Sequence, residues 1–303
     1  MGINRTNSRF LLYLKKKYNV SYQETLTLGR QELFISPENL VSDSKEMNVV
    51  LTGKISFKYK DYAENYFELL GAEKNDSMDY SNYENATIIH DLNFPIPSDL
   101  KNKYSVVYDG GTLEHVFNFP SAIKSCMEMV KVGGHFIAST PANNFCGHGF
   151  YQLSPELFFS LFTEKFGFKI KDIMIYADTN GKEIPNWYRI TDTHKAKMRV
   201  NITNDSPTTL IVVAEKVKEV DIENVIPFQS DYENIWTVHK SLEENTPIEG
   251  EHRLIHLYRS LVPDFIKSMV RRLLGRQSSK EIRTEGLGNV DQRFFEKVDI
   301  SKN

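Results

Sequence analysis

The segment YSVVYDGGTLEHVFNFPSAIKSCMEMVKVGGHFIASTPAN, residues 104–143, decides the fold. It opens with an apolar run that ends at Asp109 and a glycine pair, Gly110 and Gly111. A run that is apolar throughout, rather than alternating, suits a parallel strand covered on both faces. Residues 120–132 follow with helical spacing. Pro120 stands near their start and Gly133-Gly134 past their end, where helix termini favour them. A second apolar run, 135–140, stops at Pro141. The unit is strand–helix–strand, with its polar residues just beyond the strands.

The same grammar extends both ways. Residues 24–31, ETLTLGRQ, read as a first strand that turns at Gly29. Residues 74–79 and 86–91 are short strands, each ending in an acid, Asp79 and Asp91. Residues 9–18 predict a short basic helix, and 61–70 a helix ending at Gly71. The stretch 36–59 reads as irregular. Ser154-Pro155 caps another helix that ends at Gly167. Residues 168–176 and 208–217 read as the last two strands, with a polar insertion at 178–207 between them. Strands alternating with helices predict a three-layer α/β sheet.

Past Lys218 the composition changes, so a boundary is expected there: residues 1–218 as one domain and 219–303 as a helical extension. Residues 254–276 place Phe265, Ile266, Met269, Val270, Leu273 and Leu274 on one stripe, flanked by basic residues. Such a stripe fits a core or a partner protein, a second copy of the chain included, ahead of a membrane surface.

The bulk numbers exclude several classes. The formal charge of −3 over 303 residues gives no global field for nucleic acid. Two cysteines, Cys126 and Cys146, do not make a disulfide scaffold and fit a reducing, cytoplasmic compartment. The M-G-x-x-x-[ST] start is too short a pattern to carry a lipidation assignment.

In an open α/β sheet, ligands sit beyond the carboxyl ends of the strands. Gly29, Asp79, Asp91, Asp109 and Pro141 all fall there. Carboxylates at that rim can accept ribose hydroxyls or an exocyclic amine. With no G-x-x-x-x-G-K-[ST] present, a neutral or cationic nucleoside fits better than a phosphate-rich one.

The segments TLGRQ at 27–31, DYSNYENATIIHDLN at 79–93, DGGTLEHVFN at 109–118, KVGGHF at 131–136 and STPANNFCGHGFYQLSPELF at 139–158 together resemble the class I S-adenosylmethionine-dependent methyltransferases. The group most similar is associated with surface-glycan and secondary-metabolite clusters. The resemblance implies a Rossmann-like, mostly parallel seven-stranded sheet and S-adenosylmethionine as cofactor. It implies that Gly29 and Arg30 wrap the methionine part, that Asp79 binds the ribose, and that Asp91 and Leu92 contact the adenine. Asp109, Gly110 and Gly111 would line the sulfonium side. The chain departs from the family in its first turn, where the usual glycine-rich loop is reduced to Gly29.

The acceptor implied is a small molecule or glycan, through a hydroxyl of a sugar, nucleotide-sugar or glycan intermediate. A hydroxyl needs a base. His148, between Gly147 and Gly149, and His115 are the candidates. The spacing Cys146-x-His148 is too close for common zinc pairs, so no metal is expected. Arg189, Lys195, Lys197 and Arg199 could meet an acidic acceptor. Tyr151, Trp187 and Tyr188 could stack on a sugar. Transfer to an amine or a phosphorylated small molecule, and a silent methyltransferase-like module, stay open. A dinucleotide-dependent oxidoreductase does not, since GRQELF lacks the required G-x-G-x-x-G.

Overall fold

The computed structural model describes residues 2–179, 183–196, 200, 202–223, 226–230, 232, 281–284, 287–291 and 293–301. In chain order the first half holds β1 (Gly2–Asn4), α1 (Arg5–Tyr18), β2 (Glu24–Leu28), β3 (Glu32–Phe34), α2 (Pro37–Glu46), α3 (Glu64–Leu69), β4 (Lys74–Asp79), β5 (Ile88–Ile89), β6 (Tyr104–Asp109) and α4 (Phe119–Met129). Then follow β7 (Val130–Asn143), α5 (Pro155–Leu161), β8 (Phe168–Ala177), β9 (Trp187–Ile190), α6 (Thr193–Ala196), β10 (Ile202–Thr203), β11 (Thr208–Lys216), β12 (Glu281–Thr284), β13 (Gly288–Asp291) and β14 (Phe295–Val298).

The main sheet has nine strands in the order β14-β9-β8-β11-β7-β6-β2-β4-β5. Neighbours from β5 to β7 pair in parallel, and those from β7 to β14 pair antiparallel. The sheet is therefore mixed, not the mostly parallel seven-stranded one expected. β9 and β14 are the additions. β9 comes from the 178–207 insertion, which sequence patterning left without a strand.

β6 shows why the sheet is buried on both sides. Tyr104 and Val107 enter one apolar core with α4 and α5. Val106 and Tyr108 enter the other with α1, α2 and α3. From Val106 to Tyr108 successive side chains alternate between the cores, and Tyr104 lies before the register shift that precedes Val106.

Helix ends follow local chemistry. Asn4 caps α1 through Asn7 N–H, and Asn19 ends it in the left-handed region at φ 51°. Ser36 caps α2 through Asn39 N–H, with Pro37 in its first turn. The buried Arg9 guanidinium holds Asp43 at 2.7 Å and Glu46 at 2.7 Å, tying α1 to α2. α2 lies inside the stretch expected to be irregular. The strand 86–91 contracts to β5.

The helix expected at 120–132 ends at Met129. Gly133-Gly134 lie inside β7, where the pairing with β6 jumps from Tyr104↔Val130 to Val106↔His135. β13 pairs with β10 on one side and β12 on the other in a small three-stranded sheet. The last described segment returns to the main sheet as β14, where helix was expected. The apolar stripe in 254–276 lies outside the described residues. Among the described residues no helix is long and apolar enough to cross a membrane. Both cysteines are free, Cys126 buried and Cys146 exposed.

Candidate active site

The chain lays down β2, then moves to one side for β4 and β5 and to the other for β6 and β7. The reversal leaves a switch point between β2 and β6, the place where open α/β sheets bind ligands. Register aligns the ends: Leu28 pairs with Met78 on one side and Asp109 on the other, and Asp109 pairs with Ala138. Gly29, Asp79 and Gly110 thus each leave the sheet at one rim. Asp91 follows two residues after Ile89, which pairs with Asp79.

The rim residues differ in what they leave available. Asp79 is half-buried, and its Oδ1 accepts the Ser81 N–H at 3.1 Å. Asp91 Oδ1 accepts the Asn93 N–H at 2.9 Å and its side-chain amide at 2.7 Å. Each of these acids spends one oxygen on a local turn. Leu92 is buried in the core at 6% exposure, so its side chain supports the rim from beneath. Gly29 takes φ 69° and donates its N–H to Met78 O at 2.7 Å, which locks the turn after β2 to β4.

Asp109 does not face an open crevice. It is fully buried, and Oδ1 accepts the N–H groups of Gly111 and Thr112 at 3.2 and 2.7 Å, with Leu113 at 3.4 Å. Its Oδ2 has no partner. Burial, then the nearby Glu114, push its carboxyl above the usual range. Gly111, at φ 102°, makes the turn possible.

Arg30 and Gln31 fill the reduced glycine turn. The Arg30 guanidinium lies 3.9 Å over the Tyr62 ring, donates to Glu64 at 2.7 Å and to Glu84 O at 2.9 Å. It clamps the loops after β2 and β4 together. Gln31, 1% exposed, donates its amide to Leu28 O at 2.6 Å, and its Oε1 has no partner. Sequence patterning gave Gln31 no role.

The histidines meet one rim further along. His148 Nε2 lies 3.4 Å and His115 Nε2 4.0 Å from Glu114 Oε1. The imidazole centroids are 4.8 Å apart, nearly edge to face. Glu114 is 1% exposed and its Oε2 is bare, while the two histidine side chains are about half exposed. Burial pushes the Glu114 carboxyl up. Burial, then the facing His148, pushes His115 down.

Backbone bonds zip the two loops: Phe150 N and Tyr151 N both donate to Glu114 O, at 2.8 and 3.2 Å. Gly149 has φ 69°, and a β-carbon there would sit 2.8 Å from Glu114 O. Only a glycine allows that approach. The fold brings His148 closer to Glu114 than its chain neighbour His115. Beside this cluster, Phe117 and Phe150 are exposed and meet at 5.9 Å.

Other expected contacts fall elsewhere. Arg189 is bound to Asp172 at 2.7 and 2.9 Å and to Glu296 at 2.8 Å, so it supports the sheet. Trp187 and Tyr188 are buried in packing. Tyr151 donates to Phe117 O. Lys195 stands 3.7 Å from Asp192. Lys197 and Arg199 lie outside the described residues. Part of the 178–207 insertion does reach the site's approach: Asn144 donates to Asn204 and Ser206 just before the His148 loop.

No family model matches the chain, and no curated protein matches it. Solved structures of similar shape include a candidate methyltransferase from Bacillus halodurans, at 12% identity and TM-score 0.39, covering 69% of this chain and 99% of that one. The 1,6-didemethyltoxoflavin-N1-methyltransferase of Burkholderia thailandensis, with its substrate and S-adenosylhomocysteine bound, aligns at 9% identity and TM-score 0.38, over 70% and 80% of the two chains. The branched-chain polyamine synthase of Thermus thermophilus, with 5′-methylthioadenosine and N4-aminopropylspermidine, aligns at 12% identity and TM-score 0.37, over 72% and 58%. These superpositions are loose and span more than one group transfer.

Proposed function

We propose that the chain is an S-adenosylmethionine-dependent methyltransferase that acts on a hydroxyl of a sugar, nucleotide-sugar or glycan intermediate. One observation carries the reading. Gly29, Asp79 and Gly110 leave adjacent parallel strands at a single rim, at the switch point of the sheet. The glycan part of the reading rests on the sequence resemblance.

The residues fit such a cofactor in one respect. Asp79 keeps an oxygen beyond its local turn, free to accept ribose hydroxyls. Deeper in, Gln31 Oε1 and Asp109 Oδ2 are buried acceptors without partners, and a ligand donor would reach them only if the turns after β2 and β6 opened. Bound at this rim, S-adenosylmethionine supplies a methyl group made electrophilic by its sulfonium. The chain's own task is then positioning, from which most of the acceleration in such a step can come.

An attacking hydroxyl must lose its proton. The cluster of Glu114, His115 and His148 is the place where this chain can take it. Glu114, anchored by its backbone oxygen to Phe150 and Tyr151, holds the imidazoles at the exposed edge. His148 is the base in this reading through Nδ1, because Nε2 faces the Glu114 carboxylate that orients the ring. The two free cysteines are consistent with the cytoplasmic location that forms part of the proposal.

A second reading, a methyltransferase-like module without turnover, is favoured by Gln31. Its side chain fills the space beside Gly110 that a glycine-rich turn would leave to a ligand. Calorimetric titration with S-adenosylmethionine and S-adenosylhomocysteine separates the two. Saturable binding that weakens in Asp79→Ala is expected. Wild-type protein that binds neither compound sinks the enzyme reading, and equal affinity in Asp79→Ala sinks the ribose assignment.

A further inference from the structure

We propose that Glu114, His115 and His148 form a binding site for a divalent first-row cation, of the zinc or manganese class. One carboxylate and two imidazoles make a donor set that such cations accept. Their ligand atoms lie within 4.8 Å of one another. Donors at about 2.1 Å from a tetrahedral cation stand about 3.4 Å apart. The His148 Nε2 to Glu114 Oε1 distance is already 3.4 Å. His115 Nε2, at 4.0 Å, closes the remainder by a small turn of a half-exposed side chain.

A second observation points to a ligand. Glu114 is 1% exposed, yet its Oε2 has no hydrogen-bond partner. A buried carboxylate oxygen left bare costs free energy that a cation would recover. The two imidazole side chains are about half exposed, so coordination positions remain open on the exposed side. Chain spacing hid the site, because the ligands come from two loops and Cys146 is not among them.

The site lies on the acceptor side of the proposed reaction and deepens that reading, although cation binding itself does not depend on it. An acceptor hydroxyl bound to the cation would be more acidic and would release its proton to solvent water. His148 would then serve as a ligand, its Nε2 lone pair committed to the metal, instead of as the base.

The test uses the full chain, stripped with a chelator and titrated separately with zinc(II) and manganese(II) by calorimetry. Cobalt(II) absorption in the visible reports the ligand field. One equivalent per chain is expected for at least one cation. His115→Ala and His148→Ala, both at half-exposed positions, should weaken it by at least about tenfold. Cys146→Ser should leave the affinity unchanged. Absence of saturable binding overturns the proposal, as does stoichiometric binding that survives both histidine variants or is lost in Cys146→Ser. The S-adenosylmethionine titration is a separate readout, so either result can fail without the other.

Discussion

Gln31 stands where a side chain on Gly110 would have to go. A β-carbon built on Gly110 meets the Gln31 amide oxygen head on, and lies 2.8 Å from Gln31 Cδ and 3.0 Å from a Tyr108 ring carbon. The turn after β2 and the turn after β6 are therefore shaped against each other. Gly110→Ala is expected to destabilise the fold by about 1–3 kcal/mol, the usual cost of overpacking. Adding Gln31→Ala should relieve part of it, so that the double variant falls short of the sum by about 1 kcal/mol. Urea unfolding of the four proteins measures this; strict additivity would show that the two turns are independent.

Asp109 should tolerate loss of charge better than loss of its oxygen. Oδ1 receives the N–H groups of the following turn, so Asp109→Asn keeps an acceptor there, whereas Asp109→Ala leaves those donors bare. The alanine variant should cost about 1–3 kcal/mol and the asparagine variant less. Thermal unfolding of both variants decides; an asparagine variant as weak as the alanine one would mean that the negative charge is what matters.

The Arg189–Asp172 pair and the Arg189–Glu296 pair should differ sharply in worth. Asp172 has no side-chain exposure and also receives the hydroxyls of Tyr13 and Tyr18, at 3.1 and 2.7 Å. Arg189→Ala strands that carboxylate in the interior and should cost about 3–5 kcal/mol. Glu296 is 70% exposed, so Glu296→Gln should cost less than about 1 kcal/mol. Chemical denaturation of the two variants tests the ranking.

His135 makes the fold acid-sensitive. It is 5% exposed, neither ring nitrogen has a partner, and burial lowers its pKa to about 4, with Glu215 opposing and Lys171 assisting. An unfolded chain would bind its proton near pH 6.5. Stability is therefore full above about 6.5 and falls as pH drops toward 4, by roughly 3 kcal/mol at most. His135→Leu should flatten the stability curve across that window. Parallel curves for the variant and the wild type would assign the sensitivity to another group.

What could be read from the sequence follows from where the chemistry is local. β4 and β6 were legible to the residue, because each ends at an acid, and β6 is a buried run throughout. α2 was missed even though Ser36-Pro37 carries the same cap signal that revealed α5 at Ser154-Pro155. Only Leu40 among its apolar residues is buried, so the stripe that normally announces a helix is faint. α4 was drawn too long because the glycine pair read as a helix stop; Val130 in fact starts the strand, and the glycines form a bulge in it.

The site divides in the same way. The rim of Gly29, Asp79 and Asp91 was visible because strand ends are marked in the chain. That Asp109 turns inward onto its own loop, and that Glu114 meets His148 from 34 residues away in the chain, depends on how two loops fold against each other. No periodicity records such a contact.

Among the described residues, the outer edge of β9 is covered by β14, whose residues 295–298 follow β9 by more than 100 positions. During synthesis, β9 must wait on the ribosome with a row of backbone donors and acceptors bare until that late strand emerges. The nascent chain is thus most prone to mispairing in its final third, and chaperone demand should peak there.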